Sequence, residues 1–254
     1  MNLFLLSAVC LLIYMSTLFV VAVVKKNNAI ADIGYGGGFI LVALVSLIQN
    51  HGQIFATITS LLVLLWGVRL AIRIGIRNHG KPEDFRYAAW RKEWKYFYLR
   101  SFFQVFMLQG LIIYTISAPV LMTNLFPKTV NYWIFGIGMV IWLIGYLFEV
   151  VGDYQLDEFL KLPKKPSKYM QTGLWSLTRH PNYFGEAAMW TGIFIISLGA
   201  SKYGVYSVIS PVLITFLLTK VSGIPMVEKR WQDDPEWKKY AKKTPAFIPK
   251  LSSK

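Results

Sequence analysis

Seven long apolar runs dominate this chain, and each is close to the roughly 20 residues that a helix needs to cross the hydrocarbon core of a bilayer. They cover Leu3–Val24, Ile33–Ile48, Ile54–Ile72, Phe102–Met122, Tyr132–Val150, Tyr183–Ala200 and Tyr203–Thr219. Backbone amides in hydrocarbon must be satisfied within their own segment, so the runs predict an all-α polytopic membrane protein with seven transmembrane helices. Composition agrees, since 55% of the 254 residues are hydrophobic and only 16% are charged, against about 25% charged in an ordinary soluble domain. No basic residue precedes the first run and it has no Ala-x-Ala site, so it reads as a retained helix and not as a signal peptide.

The charge balance is +14, with 27 Lys and Arg against 13 Asp and Glu. Such an excess can mark a nucleic-acid binder, but here its distribution gives another cause. With the N-terminus outside, 25 of the 27 basic residues fall on inside segments, and only Lys128 and Lys202 face out. This asymmetry predicts an N-out/C-in topology and no nucleic-acid partner. The inside segments 77–101, 154–182 and 220–254 are long enough to cap a cofactor cavity, so a polar ligand is expected at the cytosolic face. A division into residues 1–101, with three helices and an interfacial loop, and residues 102–254 follows. Cys10 is the single cysteine and His51, His79 and His180 are scattered, so neither disulfides nor a metal site is expected.

Two charged stripes mark the inside ends of helices. Arg69, Arg73 and Arg77 recur every four residues on the third, and Glu149, Asp153 and Asp157 do so on the fifth. Like charges at this spacing repel and need partners. For the outer members Arg77 and Asp157, pairing or snorkelling suffices; for Arg69, Asp153 and Glu149, which abut apolar sequence, a binding pocket is as good an explanation. Asp32 and Glu186 are further acids beside or within the spans, and intramembrane acids are functional candidates by default.

The densest chemistry lies between Gly173 and Glu186. Pro181 suits the first position of a helix, whose free N–H groups, next to Arg179 and His180, suit an anion. Asn182 and Glu186 share a face one turn deeper, with Tyr183 beside them and Gly185 permitting close approach. Glu83-Asp-Phe-Arg-Tyr87 opens an interfacial helix, and its Arg86 and Tyr87 directly follow the arginine stripe. The P-loop-like Gly75-x4-Gly80-Lys81 is discounted, because Pro82 stands where a Ser or Thr should bind Mg²⁺.

Arg179-His-Pro-Asn-Tyr-Phe-Gly-Glu186 after Gly173-Leu-Trp, together with Asp153-Tyr-Gln-Leu, Glu83-Asp-Phe-Arg-Tyr87, Ser222-Gly-Ile-Pro-Met-x-Glu228 and Ile248-Pro249, resembles the bacterial membrane proteins similar to steroid 5α-reductases. The resemblance implies a seven-helix fold in the bacterial inner membrane. It also implies NADPH in a cytosol-facing cavity and reduction of a C=C bond conjugated to a ketone in a steroid, sterol-like or isoprenoid lipid entering from the bilayer. By the same resemblance Asn182, Tyr183, Glu186 and Asp153 contact the dinucleotide. The cofactor set expected around them comprises Arg69, Arg73, Arg86, Tyr87, Glu149, Arg179, His180 and Glu228. Asp32, Trp66 and Tyr35 are the catalytic candidates, as donors near the substrate oxygen. Trp66 stands where the reductases carry a ketone-polarising tyrosine, and Asp32 is set against their intramembrane glutamate. Isoprenylcysteine carboxyl and phospholipid methyltransferases share Arg-His-Pro-x-Tyr-x-Gly, so an S-adenosylmethionine-dependent methyltransferase is the alternative. A transporter or scaffold ranks third, because no internal repeat is visible. No obligate protein partner is evident.

Overall fold

The computed structural model describes residues 2–50, 53–125 and 131–250; Lys128, expected on the outer face, and His51 lie outside them. Among the described residues the chain folds into helices, and seven are long and apolar enough to cross a membrane. They are α1 (Leu3–Lys25), α2 (Ile30–Ile48), α3 (Ile54–Asn78), α5 (Phe97–Ile116), α7 (Tyr132–Lys161), α8 (Pro181–Ala200) and α9 (Gly204–Trp231). Shorter helices are α4 (Phe85–Glu93), α6 (Ala118–Leu125) and α10 (Pro235–Lys243). Several spans outrun their apolar stretches. α3 continues six residues beyond Ile72 and α7 runs past Val150 to Lys161. Arg73, Arg77, Asp153 and Asp157 interrupt hydropathy there, but nothing in them breaks a helix.

Local chemistry sets the boundaries. Asn2, Asp84, Asn131 and Asp234 cap the first amides of α1, α4, α7 and α10 with their side chains. Pro235 follows its cap at the start of α10, and α1 ends on Lys26 in the left-handed conformation. Both α5 and α9 change pitch midway, with π-helical turns at Phe102–Met107 and Leu217–Val221.

The chain forms two compact units, residues 1–130 with 200–207, and residues 131–199 with 208–254. In the first, α2 and α3 pack backbone to backbone: a Cβ on Gly36 would stand 3.0 Å from the carbonyl oxygen of Gly67. The Tyr14 hydroxyl of α1 fills the notch beside Gly37 and donates to the Gly34 carbonyl at 3.1 Å.

The second unit is organised by a glycine seam between antiparallel α7 and α8. Gly138, Gly145 and Gly152 recur every seven residues on one helix, and Gly185, Gly192 and Gly199 do so on the other. Gly138 meets Gly192, Gly145 meets Gly185, Gly152 meets Pro181, and Gly199 meets Asn131 and Phe135. A seven-residue step drifts only about 20° around a helix, so the glycines stay on one face and let the backbones touch. Beyond the spans, Tyr169, Trp231, Trp237 and Tyr240 pack into an aromatic cluster that seats α10. The Trp175 indole donates to the Gly152 carbonyl at 2.9 Å, which ties the 162–180 segment to α7.

Candidate functional site

Each unit carries a polar cluster of its own. In the second, the glycine seam presses α7 against the first turns of α8. A Cβ on Gly185 would lie 2.9 Å from the Glu149 Cβ, so Glu149 rests directly on the α8 backbone. Glu149 and Asp153 are 3% and 4% exposed, which makes them the two buried carboxylates in the described chain. One turn along, Asn182 donates from Nδ2 to Asp153 Oδ1 at 3.3 Å. Its other amide atom, Oδ1, is buried and faces no donor among the described residues. Glu186 and Tyr183 flank it on the same helix, both half-buried. The Tyr183 ring stacks on His180 at 5.3 Å. Asp153, Asn182, Tyr183 and Glu186, expected together from sequence, thus lie within one helix-helix corner that is rich in hydrogen-bond acceptors.

Arg179 and His180 sit at the edge of this corner, and their side chains are already engaged. The Arg179 guanidinium donates to Glu228 Oε1 at 2.8 Å and Oε2 at 3.1 Å. It also reaches the carbonyls of Ala241 at 2.9 Å and Thr244 at 2.5 Å. His180 Nε2 lies 2.9 Å from the same Glu228 oxygen. With its side chain only 10% exposed, Arg179 joins the start of α8, the end of α9 and α10. Arg179, His180 and Glu228, expected around a cofactor from sequence, form in the structure a clamp of mutually paired side chains.

The 153–156 and 173–175 motifs serve each other. Gly173 takes the left-handed conformation with a φ of +60°, and a Cβ there would run into the Gln155 amide. Gln155 Oε1 accepts from the Leu174 amide at 3.0 Å. Only glycine passes this point without strain, so packing alone accounts for the spacing of the two motifs.

In the first unit Asp32, in the first turn of α2, accepts from Tyr87 Oη at 2.8 Å and from Arg86 Nη2 at 3.0 Å. Asp84 holds the same guanidinium at 2.8 Å. Glu83 bridges the Asn28 amide at 2.7 Å and Arg91 at 2.8 Å. Glu83-Asp-Phe-Arg-Tyr87 therefore docks α4 onto the α1–α2 turn. Burial, then the neighbouring Asp32 charge and hydrogen bond, push the Tyr87 phenol well above its usual range, so it remains a donor. For Asp84, burial raises the carboxyl pKa, but the Arg86 side chain and amide outweigh it and hold the group below its ordinary value.

Further along α2 the remaining catalytic candidates meet through an aromatic ring. Tyr35 packs edge-on to Phe39 at 5.0 Å, and Phe39 packs against Trp66 at 5.1 Å, with Trp66 only 2% exposed. Arg69 and Arg73 are half-buried near the end of α3, and Arg77 is exposed. Sequence reasoning missed the tie between Asp32 and Arg86, 54 residues apart, and the role of Asp84. The only available signal for Asp84 was its N-cap position before Phe85.

A "Probable 7-dehydrocholesterol reductase" of Acanthamoeba polyphaga mimivirus is 29% identical over 161 residues, which cover 54% of this chain and 33% of that protein. The match thus spans about a third of the length of the curated relative. No solved structure matches. A family profile covers residues 18–244, nearly the whole chain and both units. The chain belongs to the family described as "Protein of unknown function (DUF1295)".

Proposed function

We propose that this chain is an NADPH-dependent membrane reductase acting on the conjugated C=C bond of an apolar steroid, sterol-like or isoprenoid lipid, with its cofactor corner at the cytosolic face of an N-out/C-in fold. The observation that carries the reading is the corner formed by Asp153, Asn182 and Glu186. The buried Asn182 amide oxygen, which meets no donor among the described residues, suits a ligand that brings donors of its own, such as ribose hydroxyls and a carboxamide. NADPH carries both, and when bound it supplies hydride to the substrate. Asp153, Asn182, Tyr183 and Glu186 would hold it. The reductase named among the relatives supports hydride transfer as the chemistry.

On the substrate side, reduction of an enone places negative charge on its oxygen, and a fixed donor stabilises that charge. The Trp66 N–H and the Tyr35 hydroxyl, held on either side of Phe39, are the donors assigned to this task. Asp32 accepts through both oxygens, so it orients Tyr87 and Arg86.

The same acceptor-rich corner also suits the ammonium and ribose of S-adenosylmethionine, so the test must separate the two ligands. A ligand that binds only the native state raises apparent stability in proportion to its affinity. Purified in mild detergent, the protein should gain thermal stability with NADPH, and Asn182→Ala or Glu186→Gln should remove the gain while leaving the unliganded transition cooperative. Stabilisation by S-adenosylmethionine alone would replace the reductase reading with the methyltransferase one.

A further inference from the structure

Outside the corner already described, the second unit holds a cavity of about 500 Å³ between the 166–176 segment and α10 with the chain that follows it. Lys239, Lys243 and Lys250 line it together with Gln171 and Thr244. Lys239 and Lys243 lie one turn apart on α10, where like charges repel unless something negative separates them. Glu236 is the carboxylate on the wall, leaving three ammonium groups against one acid. Among the described residues, none of the three lysines ends within 4.0 Å of a carboxylate. The nearby Asp234 is committed to Lys168 at 2.9 Å.

The uncharged lining sorts in the same sense. The Ser167 and Ser176 hydroxyls donate to the carbonyls of Tyr169 and Gly173. The Gln171 amide and the Thr244 hydroxyl remain as neutral donors. Lys250 gives one N–H to the Lys243 carbonyl at 3.2 Å, which fixes its stem and leaves two N–H donors. The cavity thus gathers three ammonium groups and two neutral donors around one concave space, with Lys239 and Lys243 exposed.

Position narrows the ligand. One wall follows α7, which ends at Lys161, and the other follows α9, which ends at Trp231, so both walls belong to basic segments that flank a span. Leu160, Leu162 and Ile248 are exposed on the same cap. Basic segments that flank a span are drawn to the anionic lipid surface, and phosphate is the anion its headgroups share. We propose that this lysine cavity binds a phosphate group, supplied in the membrane by an anionic lipid headgroup. Thr244 also accepts from Arg179 through its carbonyl, and Tyr240 donates to the Trp175 carbonyl. Occupancy therefore tightens α10 against the Arg179–Glu228 clamp and stabilises the unit.

The test uses the full chain in a nonionic detergent without cofactor, so its failure leaves the reductase reading untouched. Thermal stability is titrated with dihexanoyl phosphatidylglycerol, with dihexanoyl phosphatidylcholine, and with inorganic phosphate. Phosphatidylglycerol should stabilise and phosphatidylcholine should not. Losing a hydrogen bond to a charged group weakens binding roughly tenfold or more. A Lys239→Gln, Lys243→Gln, Lys250→Gln variant should therefore lose the effect entirely. Lys220→Gln, Lys229→Gln, Arg230→Gln removes the same charge elsewhere and should retain it. Glu236→Gln should tighten binding severalfold, a gain that loss of folding cannot mimic. Stabilisation by inorganic phosphate alone, abolished in the lysine variant, would keep the phosphate site and make its source soluble. Equal titration curves for the two triple variants would overturn the proposal.

Discussion

Gly185 lies so close to Gly145 that a Cβ added to it would stand 2.5 Å from the Gly145 carbonyl oxygen and 2.6 Å from the Glu149 amide nitrogen. Both nearest atoms are backbone and cannot swing aside. Gly185→Ala must therefore separate α7 from α8, and overpacking of this kind costs about 1–3 kcal/mol. The separation also draws Asn182 away from Asp153, so the response to NADPH should fall more than stability does. Gly136, on the same α7, has nothing within 4 Å of its Cβ position. Gly136→Ala should be neutral or slightly stabilising by helix propensity. Thermal unfolding of both variants in detergent checks this, and equal effects would mean that the seam is not tight.

The clamp at Arg179 gives a second expectation. Its side chain is largely buried, and Glu228 answers it through both oxygens. Removing one partner of a buried pair leaves the other uncompensated and costs about 3 kcal/mol. Glu228→Gln should lower the melting temperature and open the C-terminal helix to protease. Arg179→Lys should do the same, because an ammonium cannot reproduce the planar fork that reaches Glu228, Ala241 and Thr244 together. If Arg179→Lys keeps full stability and loses only NADPH binding, Arg179 is a phosphate ligand and not a clamp.

Asp84 makes α4 sensitive to acid. Its carboxyl pKa lies below the ordinary 3.8 in the folded chain, since the Arg86 hydrogen bonds outweigh burial. A depressed acid contributes stability that is full above its unfolded pKa and is lost as pH falls through the folded one. Docking of α4 should therefore hold at neutral pH and weaken from about pH 4 downward. Fluorescence of Trp90 and Trp94, stacked at 4.8 Å, reports it. Asp84→Asn keeps a competent N-cap while removing the charge. In that variant the acid limb of the transition should flatten, and an unchanged limb would assign the pH response to another group.

Hydropathy fixed the number of spans, because it acts over whole segments that a linear reading can average. Span ends were less legible: Arg73 and Asp153 lower the hydropathy of α3 and α7 without ending them. The corner of Asp153, Asn182 and Glu186 was partly legible, since Asn182 and Glu186 share a helix face at four-residue spacing. The seam that carries it is also written in the sequence, as glycines seven apart on both helices, but the pattern has meaning only once the two are known to be antiparallel neighbours. Partners such as Arg179 with Glu228, 49 residues away, follow from no local period. A lone arginine beside a helix start looks the same whether it awaits an anion or already holds a carboxylate.

Tyr87 tests whether the first-unit cluster positions α4 or takes part in chemistry. Its hydroxyl donates to Asp32 at 2.8 Å and its ring is 5% exposed against Trp90. Tyr87→Phe keeps the ring packing and deletes one hydrogen bond to a charged group, so it should cost about 1.5–3 kcal/mol. Asp32→Asn keeps an acceptor for Tyr87 but removes the ion pair to Arg86, whose guanidinium stays with Asp84. If Asp32 only orients these side chains, both variants should speed amide exchange across residues 85–93 and reduce turnover in the same proportion. A variant that leaves α4 protected and still abolishes turnover would place Asp32 or Tyr87 on the substrate itself. Hydrogen exchange measured beside the reductase assay separates the two, because a docking residue must show its effect in both.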